Sequence, residues 1–386
     1  MSEWKEYKLG DLTVDGKGSY GIAAPAVDYD AEKYTYLRIT DINDDGTLNK
    51  NGLKSVDDKN ASVYLLQQND IVFARTGASV GRSYFYDERD GELVYAGFLI
   101  KYSIDPSKVN PKILKFYTHS QAYYDWIQTV DNGATRGNIN AQTYASMPVV
   151  LPERQEQDKI VSILTSLDDK IDLLRRENAT LEAMAETLFR QWFVVEAKEE
   201  WEEKPLSSIA TFLNGLACQK YPPKNEIDKL PILKIRELSS GIGSDSDWAT
   251  TEVGEEYIVH AGDVIFAWSA SLMVKIWDGE DCILNQHLFK VASDKYPKWF
   301  YYFWCKHHLN EFISIAQSHA TTMGHIKRGD LDTAMVLVPS DEELLSMTAQ
   351  MEGLLKKMEN NNEQINTLIQ TRDGLLPRLM GEEIKV

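Results

Sequence analysis

The sequence predicts an α+β fold, with two homologous mixed α/β domains separated by two long antiparallel coiled-coil helices in a pseudo-twofold arrangement. Three observations predict it. The chain reads as one unit written twice, each copy opens on short strand-like runs, and each closes on apolar residues spaced alternately four and three apart.

The repeat comes first. Trp4-Lys5-Glu6 with Leu9 recurs as Trp201-Glu202-Glu203 with Leu206, and Asn69-Asp70-Ile71-Val72-Phe73-Ala74 recurs as Gly262-Asp263-Val264-Ile265-Phe266-Ala267. Val149-Val150-Leu151-Pro152 recurs as Val336-Leu337-Val338-Pro339. The offset falls from 197 at the tryptophans to 193 at the aspartates and 187 at the prolines, so the copies differ by insertions and deletions in loops. So long a period excludes a solenoid and implies a duplicated domain with a tail.

In chain order, residues 1–152 form the first domain. Runs 36–42, 70–74 and 94–102 are apolar or alternating and bounded by Gly, Asn or Asp, which predicts strands, and a proline-led stretch at 111–126 predicts a helix. Residues 153–199 carry a seam of Ile160, Leu164, Leu167, Ile171, Leu174, Asn178, Leu181, Ala185, Leu188 and Trp192. Its 3.5-residue spacing is the coiled-coil signature. Residues 200–339 repeat the first pattern, with strands over 264–268 and 282–291 and a helix over 297–315. Residues 340–386 carry the second seam: Met347, Met351, Leu354, Met358, Asn361, Ile365, Leu368, Arg372, Leu375 and Leu379. Helices of this size are about 50–60 Å long. Two matched helices separated by a whole domain pair antiparallel. Asn178 and Asn361 interrupt the seams, either as a polar layer that sets register or as tolerated, partly exposed positions.

The chain has 386 residues, 41 Lys+Arg against 59 Asp+Glu and a net charge of −18. At 43% hydrophobic it buries real cores, which excludes global disorder. The charge argues against a simple basic nucleic-acid binder. The four regions carry −4, −4, −6 and −4 in order, so no basic domain hides inside the total. Cys218, Cys282 and Cys305 form no paired motif and read as free thiols in a reducing cytoplasm. With neither a leader pattern nor an 18-residue apolar run, a soluble cytoplasmic protein is expected. Phosphate-loop, dinucleotide, zinc-protease and paired-cysteine motifs are absent, so a binding protein is a simpler reading than an enzyme. His307-His308 are helix neighbours on different faces and are not expected to share a metal. Tyr221-Pro222-Pro223-Lys224 reads as a rigid loop rather than an adenine-methyltransferase signature.

Val149-Val150-Leu151-Pro152-Glu153-Arg154-Gln155-Glu156-Gln157 and the segment Asn69-Asp70-Ile71-Val72-Phe73-Ala74-Arg75-Thr76-Gly77 carry a family likeness. On them, and on the doubled domain–helix order, the chain resembles the specificity subunit of type I restriction–modification systems. The second copy departs where Pro339-Ser340-Asp341-Glu342-Glu343 replaces the glutamine-bearing lead-in and Trp268-Ser269-Ala270 replaces Arg75-Thr76-Gly77. The resemblance implies a non-catalytic subunit that reads a bipartite DNA target, one domain per half-site. It implies double-stranded DNA, two adenine methyltransferase subunits and, where present, two motor-nuclease restriction subunits as partners. No cofactor is implied in this chain: S-adenosylmethionine belongs to the methyltransferase, ATP and Mg to the motor nuclease.

Base-edge readers are Arg, Lys, Asn, Gln and small hydroxyls, set on loops between strands. The first domain offers Arg75, Thr76, Gly77, Ser79 and Arg82 in one glycine-bearing loop, and Thr135, Arg136, Asn138 and Asn140 in another. The second offers Ser269, with Thr321, Thr322, His325, Lys327 and Arg328. Each has a bland alternative: a hairpin turn for 75–82, a core tryptophan at Trp268, an internal ion pair of Arg38 with Asp41. Asn285-Gln286-His287 is either an adenine reader or a satisfied interior network, and Phe189, Trp192 and Phe193 are either core or a methyltransferase-docking surface. Two further functions compete with DNA recognition: an acidic scaffold or inactive paralogue that binds the methyltransferase without reading DNA, and an enzyme whose reactive residues no motif marks.

Overall fold

A computed structural model describes residues 4–131, 138–243, 245–318 and 324–381. The chain forms two compact units, residues 1–170 with 368–386, and residues 171–367.

In the first unit the fully buried strand Asp70–Ala74 lies between Leu99–Ser103 and Ser83–Phe85, with Ser19–Tyr20 at the edge beside Leu99–Ser103. A second sheet runs Ala26–Asp28, Lys54–Val56, Thr35–Leu37, Leu93–Tyr95, its last two strands parallel. Lys5–Lys8 pairs antiparallel with Pro148–Leu151. The second unit repeats the order of the first of these sheets. Val264–Ala267 lies between Leu288–Ala292 and Met273–Ile276 with Thr211–Asn214 at the edge, and Lys229–Leu233 runs parallel to Cys282–Leu284 in the other sheet. Glu202–Pro205 pairs with Met335–Val338.

The aspartate heading each central strand holds the frame. Asp70 is 1% exposed, accepts from Gln67 N (2.9 Å) and Ser103 Oγ (2.6 Å), and pairs with Lys101 at 3.1 Å. Asp263 repeats this with His260 N (2.9 Å) and Lys290 (2.8 Å). A buried carboxylate with this many partners is satisfied rather than available to a ligand.

Four sequence expectations are corrected. Run 94–102 is two strands in different sheets, broken at Ala96-Gly97-Phe98, and run 282–291 breaks likewise at Asn285-Gln286-His287. Apolar residues on both sides of each break hid the crossovers. Run 36–42 stops as a strand at Leu37, because Asp41 caps a short turn by accepting from Arg38 N at 2.8 Å while also binding the Arg38 guanidinium at 2.6 Å. The helix expected over 111–126 is two, Ile113–Tyr117 and Gln121–Asp131, because Thr118 Oγ1 bonds back to Lys115 O and Ser120 Oγ caps Tyr123 N. The helix expected over 297–315 is Lys298–Ser318.

The long helices are Arg154–Arg190 and Asp341–Met380, of 37 and 40 residues. Every seam position of both is buried or half-buried. In the first unit Ile160 and Leu164 share a core with Leu379, and Asp168 meets Arg372. In the second, Asn178 meets Asn361, and Ala185 and Phe189 share a core with Met351, Met347 and Leu344. Within each unit, moving forward along one helix moves backward along the other, so the pairing is antiparallel. Phe189 and Phe193 are 1% and 4% exposed and pack on Trp304 at 5.1 and 5.3 Å, which places them in the core. Trp192 is half-buried against Trp299.

Candidate nucleic-acid interface

The structure brings the two predicted loops of the first domain together. Thr76 and Asn138 pair as a lone antiparallel bridge, Ile139 N donates to Arg75 O at 2.9 Å, and Arg75 Nε donates to Asn138 Oδ1 at 3.3 Å. From below, Tyr144 OH donates to Ala74 O at 2.9 Å and Tyr123 OH to Gly81 O at 2.7 Å. Burial pushes the Tyr144 phenol well above its ordinary value, so it is a neutral donor.

The second unit builds the same frame. Ser269 and His325 form the matching bridge, Ile326 N donates to Trp268 O at 3.1 Å, and Ala270 N donates to Gly324 O at 2.9 Å. The frame holds down to its backbone angles. Gly77 has φ +72° and its counterpart Ala270 keeps φ 56°, a left-handed conformation that costs a residue with a Cβ about 1–2 kcal/mol.

Strand register places a further residue beside each pair of loops. Tyr20 sits opposite Ile100, which sits opposite Phe73, while Asn214 sits opposite Phe289, which sits opposite Phe266. Tyr20 and Asn214 are therefore equivalent. Each is followed by a glycine at a close crossing: a Cβ at Gly21 would lie 2.2 Å from Ala96 O, and one at Gly215 2.3 Å from Asn285 O. The Arg75 guanidinium carbon lies 4.9 Å from the Tyr20 ring centroid, and Trp268 Nε1 donates to Asn214 Oδ1 at 3.1 Å. Arg75 N donates to Phe98 O at 3.1 Å, where the second unit has His287. Phe98 is 59% exposed, and His287 is exposed with its Nδ1 3.2 Å from Ser269 Oγ.

The other predicted residues divide. Arg82 is strapped inward, pairing with Asp44 at 2.6 Å and donating to Ile42 O at 3.2 Å. Ser79 is 9% exposed and Gly77 is exposed. Asn140 Oδ1 accepts from Thr143 N at 2.9 Å and caps a short helix. Lys327 and Arg328 are exposed, and Arg328 donates to Phe212 O at 3.3 Å. Thr135, Arg136, Thr321 and Thr322 lie outside the described residues. Reasoning from sequence missed Tyr20, Phe98 and Asn214, since a two-residue edge strand and a crossover carry no periodicity. The repeat offset was the signal that could have found Asn214 from Tyr20.

Type I restriction modification DNA specificity domain is the family description that matches residues 1–183 and again 198–371. The chain belongs to that family. The chain is 24% identical over 289 aligned residues to the MjaIX specificity subunit, a type I restriction enzyme component of Methanocaldococcus jannaschii, covering 68% of this chain and 66% of that one. With the HindI specificity subunit of Haemophilus influenzae it shares 21% identity over the full length of both. The crystal structure of a type I restriction-modification system S subunit from M. genitalium superposes with a TM-score of 0.50 at 12% identity, covering 98% and 96% of the two chains, which shows the specificity-domain fold. Among the described residues, no group of three or more His, Cys, Asp or Glu side chains could hold a metal ion, and no helix is long and apolar enough to cross a membrane.

Proposed function

We propose that this specificity-family chain reads a two-part DNA target, one half-site per unit, and positions two adenine methyltransferase subunits, with motor-nuclease subunits joining where they exist. One observation carries the reading: both units build the same backbone frame at their paired loops and fill it with different side chains. Arg75, Thr76 and Asn138 stand where Trp268, Ser269 and His325 stand in the second unit. Phosphate contacts position a protein while base-edge contacts specify sequence, so a repeated frame with unlike readers suits two unlike half-sites. Relatives named as specificity subunits support the same reading.

The net charge of −18 opposes binding to a polyanion, so the partner subunits supply most of the phosphate neutralisation. S-adenosylmethionine, ATP and Mg act in those partners. The test is co-expression with a cognate methyltransferase subunit followed by methylome sequencing. A split motif with a methylated adenine in each half is expected. Complex formation without any methylated motif would instead favour an acidic scaffold that occupies the methyltransferase without reading DNA.

A further inference from the structure

We infer that Tyr20 is the positioning residue for Arg75, and that the pair makes the first unit specific for a guanine in its half-site. The inference rests on the proposed reading of DNA by each unit. Arg75 is held on two sides, by the Tyr20 ring at 4.9 Å from its guanidinium carbon and by Asn138 Oδ1 at 3.3 Å from Nε. Among the described residues its two terminal nitrogens have no hydrogen-bond partner, although the chain carries 59 acidic residues. Arg82, seven residues on in the same loop, is neutralised by Asp44 at 2.6 Å. Arg75 is thus presented where Arg82 is stored.

A guanidinium resting on an aromatic face keeps its planar donor fork while losing rotamer freedom. That fork matches the O6 and N7 acceptors of guanine, which no other base pair offers in the same pattern. Asn138 takes Nε and leaves the terminal nitrogens for a base.

The second unit has exchanged both members of the pair at once. Asn214 replaces Tyr20 at the same register and Trp268 replaces Arg75, with the indole N–H consumed by Asn214 Oδ1 at 3.1 Å. Asn214 offers no ring for a cation, and Tyr20 has no amide oxygen for an indole. Each edge residue suits the reader its own unit carries. The second unit therefore lacks this guanine contact and reads its half through other groups.

The experiment uses the complex assembled with the methyltransferase subunit, read by methylome sequencing and by competition among duplexes that vary one base pair at a time. Arg75→Ala is expected to reduce preference for one guanine in one half-site roughly ten- to hundredfold. Tyr20→Ala is expected to weaken the same position about two- to fivefold. Tyr20→Phe, which keeps the ring and loses the hydroxyl that accepts from Ala141 N, is expected to retain wild-type preference. Asn214→Tyr with Trp268→Arg is expected to install a guanine preference in the other half. Thermal melts of each variant verify folding. Relaxation by Arg75→Ala with Tyr20→Ala unchanged overturns the positioning role, and relaxation at a base other than guanine overturns the specificity. A wild-type complex that methylates no split motif overturns the underlying reading and this inference with it.

Discussion

Asn361 Nδ2 donates to Asn178 Oδ1 across the paired long helices at 2.9 Å, and Asn178 Nδ2 donates to Asn362 Oδ1 at 2.6 Å. Asn361 is fully buried, and its Nδ2 also reaches Glu177 at 3.1 Å. A polar layer that bonds only when the two helices are aligned penalises every other alignment, because a shifted register strands buried amides among leucines and methionines.

Replacing one partner differs from replacing both. Asn178→Leu takes one of the two acceptors from Asn361 Nδ2, leaving Glu177, and removes the donor to Asn362 Oδ1, and it is expected to cost about 1–3 kcal/mol in urea unfolding. Asn178→Leu with Asn361→Leu is expected to recover most of that loss while broadening amide-exchange behaviour along both helices, as alternative registers become accessible. A double variant as unstable as the single, with one sharp register, would contradict the register role.

The seams were legible because spacing is local: every position from Ile160 to Trp192 and from Met347 to Leu379 follows from counting four and three. Their partners were legible only in direction, since the pairing of Asp168 with Arg372 depends on which helix ends meet. The strand runs were legible as apolar segments, but not the points at Ala96-Gly97-Phe98 and Asn285-Gln286-His287 where the chain changes sheet. Glycine and asparagine there mark a close crossing that only the folded backbone reveals. Of the candidate site, Arg75, Thr76 and Asn138 carry chemistry that names them, whereas Tyr20 gains significance only from the register that sets it beneath Arg75.

The left-handed position at Gly77 and Ala270 separates the two units by mutation. Gly77→Ala is expected to cost about 1 kcal/mol, because open space surrounds the site and only backbone strain is added. Ala270→Gly relieves that strain and is expected to be neutral or stabilising by up to about 1 kcal/mol. Thermal melts of the two variants should therefore shift in opposite directions, or the second not at all.

Asp168 is a hub of the first unit, pairing with Lys115 at 2.5 Å and Arg372 at 3.1 Å. Arg372 occupies a seam position with 17% of its side chain exposed. Its charge is tolerable there because Asp168 faces it from the other long helix. Asp168→Ala takes its anion from Lys115 and leaves Arg372 with Asp373, at 2.9 Å, and it is expected to cost about 1–3 kcal/mol. Denaturant titration of that variant checks it, with Asp172→Ala, whose partner Arg176 lies one turn away on an exposed face, expected within about 0.5 kcal/mol of wild type.

His260 gives the second unit a pH-dependent contact. Its Nδ1 lies 2.8 Å from Asp281 and its Nε2 3.3 Å from Glu255, and the Asp281 hydrogen bond raises its pKa above the ordinary histidine value. A raised folded pKa means that the stabilisation is fully present below the unfolded value, about 6.5, and is lost as pH climbs through the folded value. The ring is 46% exposed, so the effect is small and screened by salt. The melting-temperature gap between wild type and His260→Asn should narrow from pH 5.5 to pH 8.5 and be smaller throughout at high salt. A gap that widens with pH would reverse the sign of the interaction.

The acidic chain makes a final prediction about assembly. Affinity for DNA falls with salt at a slope of about −0.9 for each phosphate neutralised. With −18 overall, Arg82 committed to Asp44 and Arg38 to Asp41, the described residues of the paired loops offer few cations beyond Arg75 and Lys327 to phosphates or bases. Gel shifts of the isolated chain should therefore show weak binding with a shallow slope, on the order of −1 to −3. The complex with the methyltransferase should bind far more tightly and with a steeper slope, because the additional phosphate contacts belong to the partner. Arg75→Ala should leave the complex's slope nearly unchanged if Arg75 contacts a base edge, and reduce it by about one if it contacts a phosphate. Equal slopes for the chain and the complex would place phosphate neutralisation on this chain and contradict the division of labour argued from its charge.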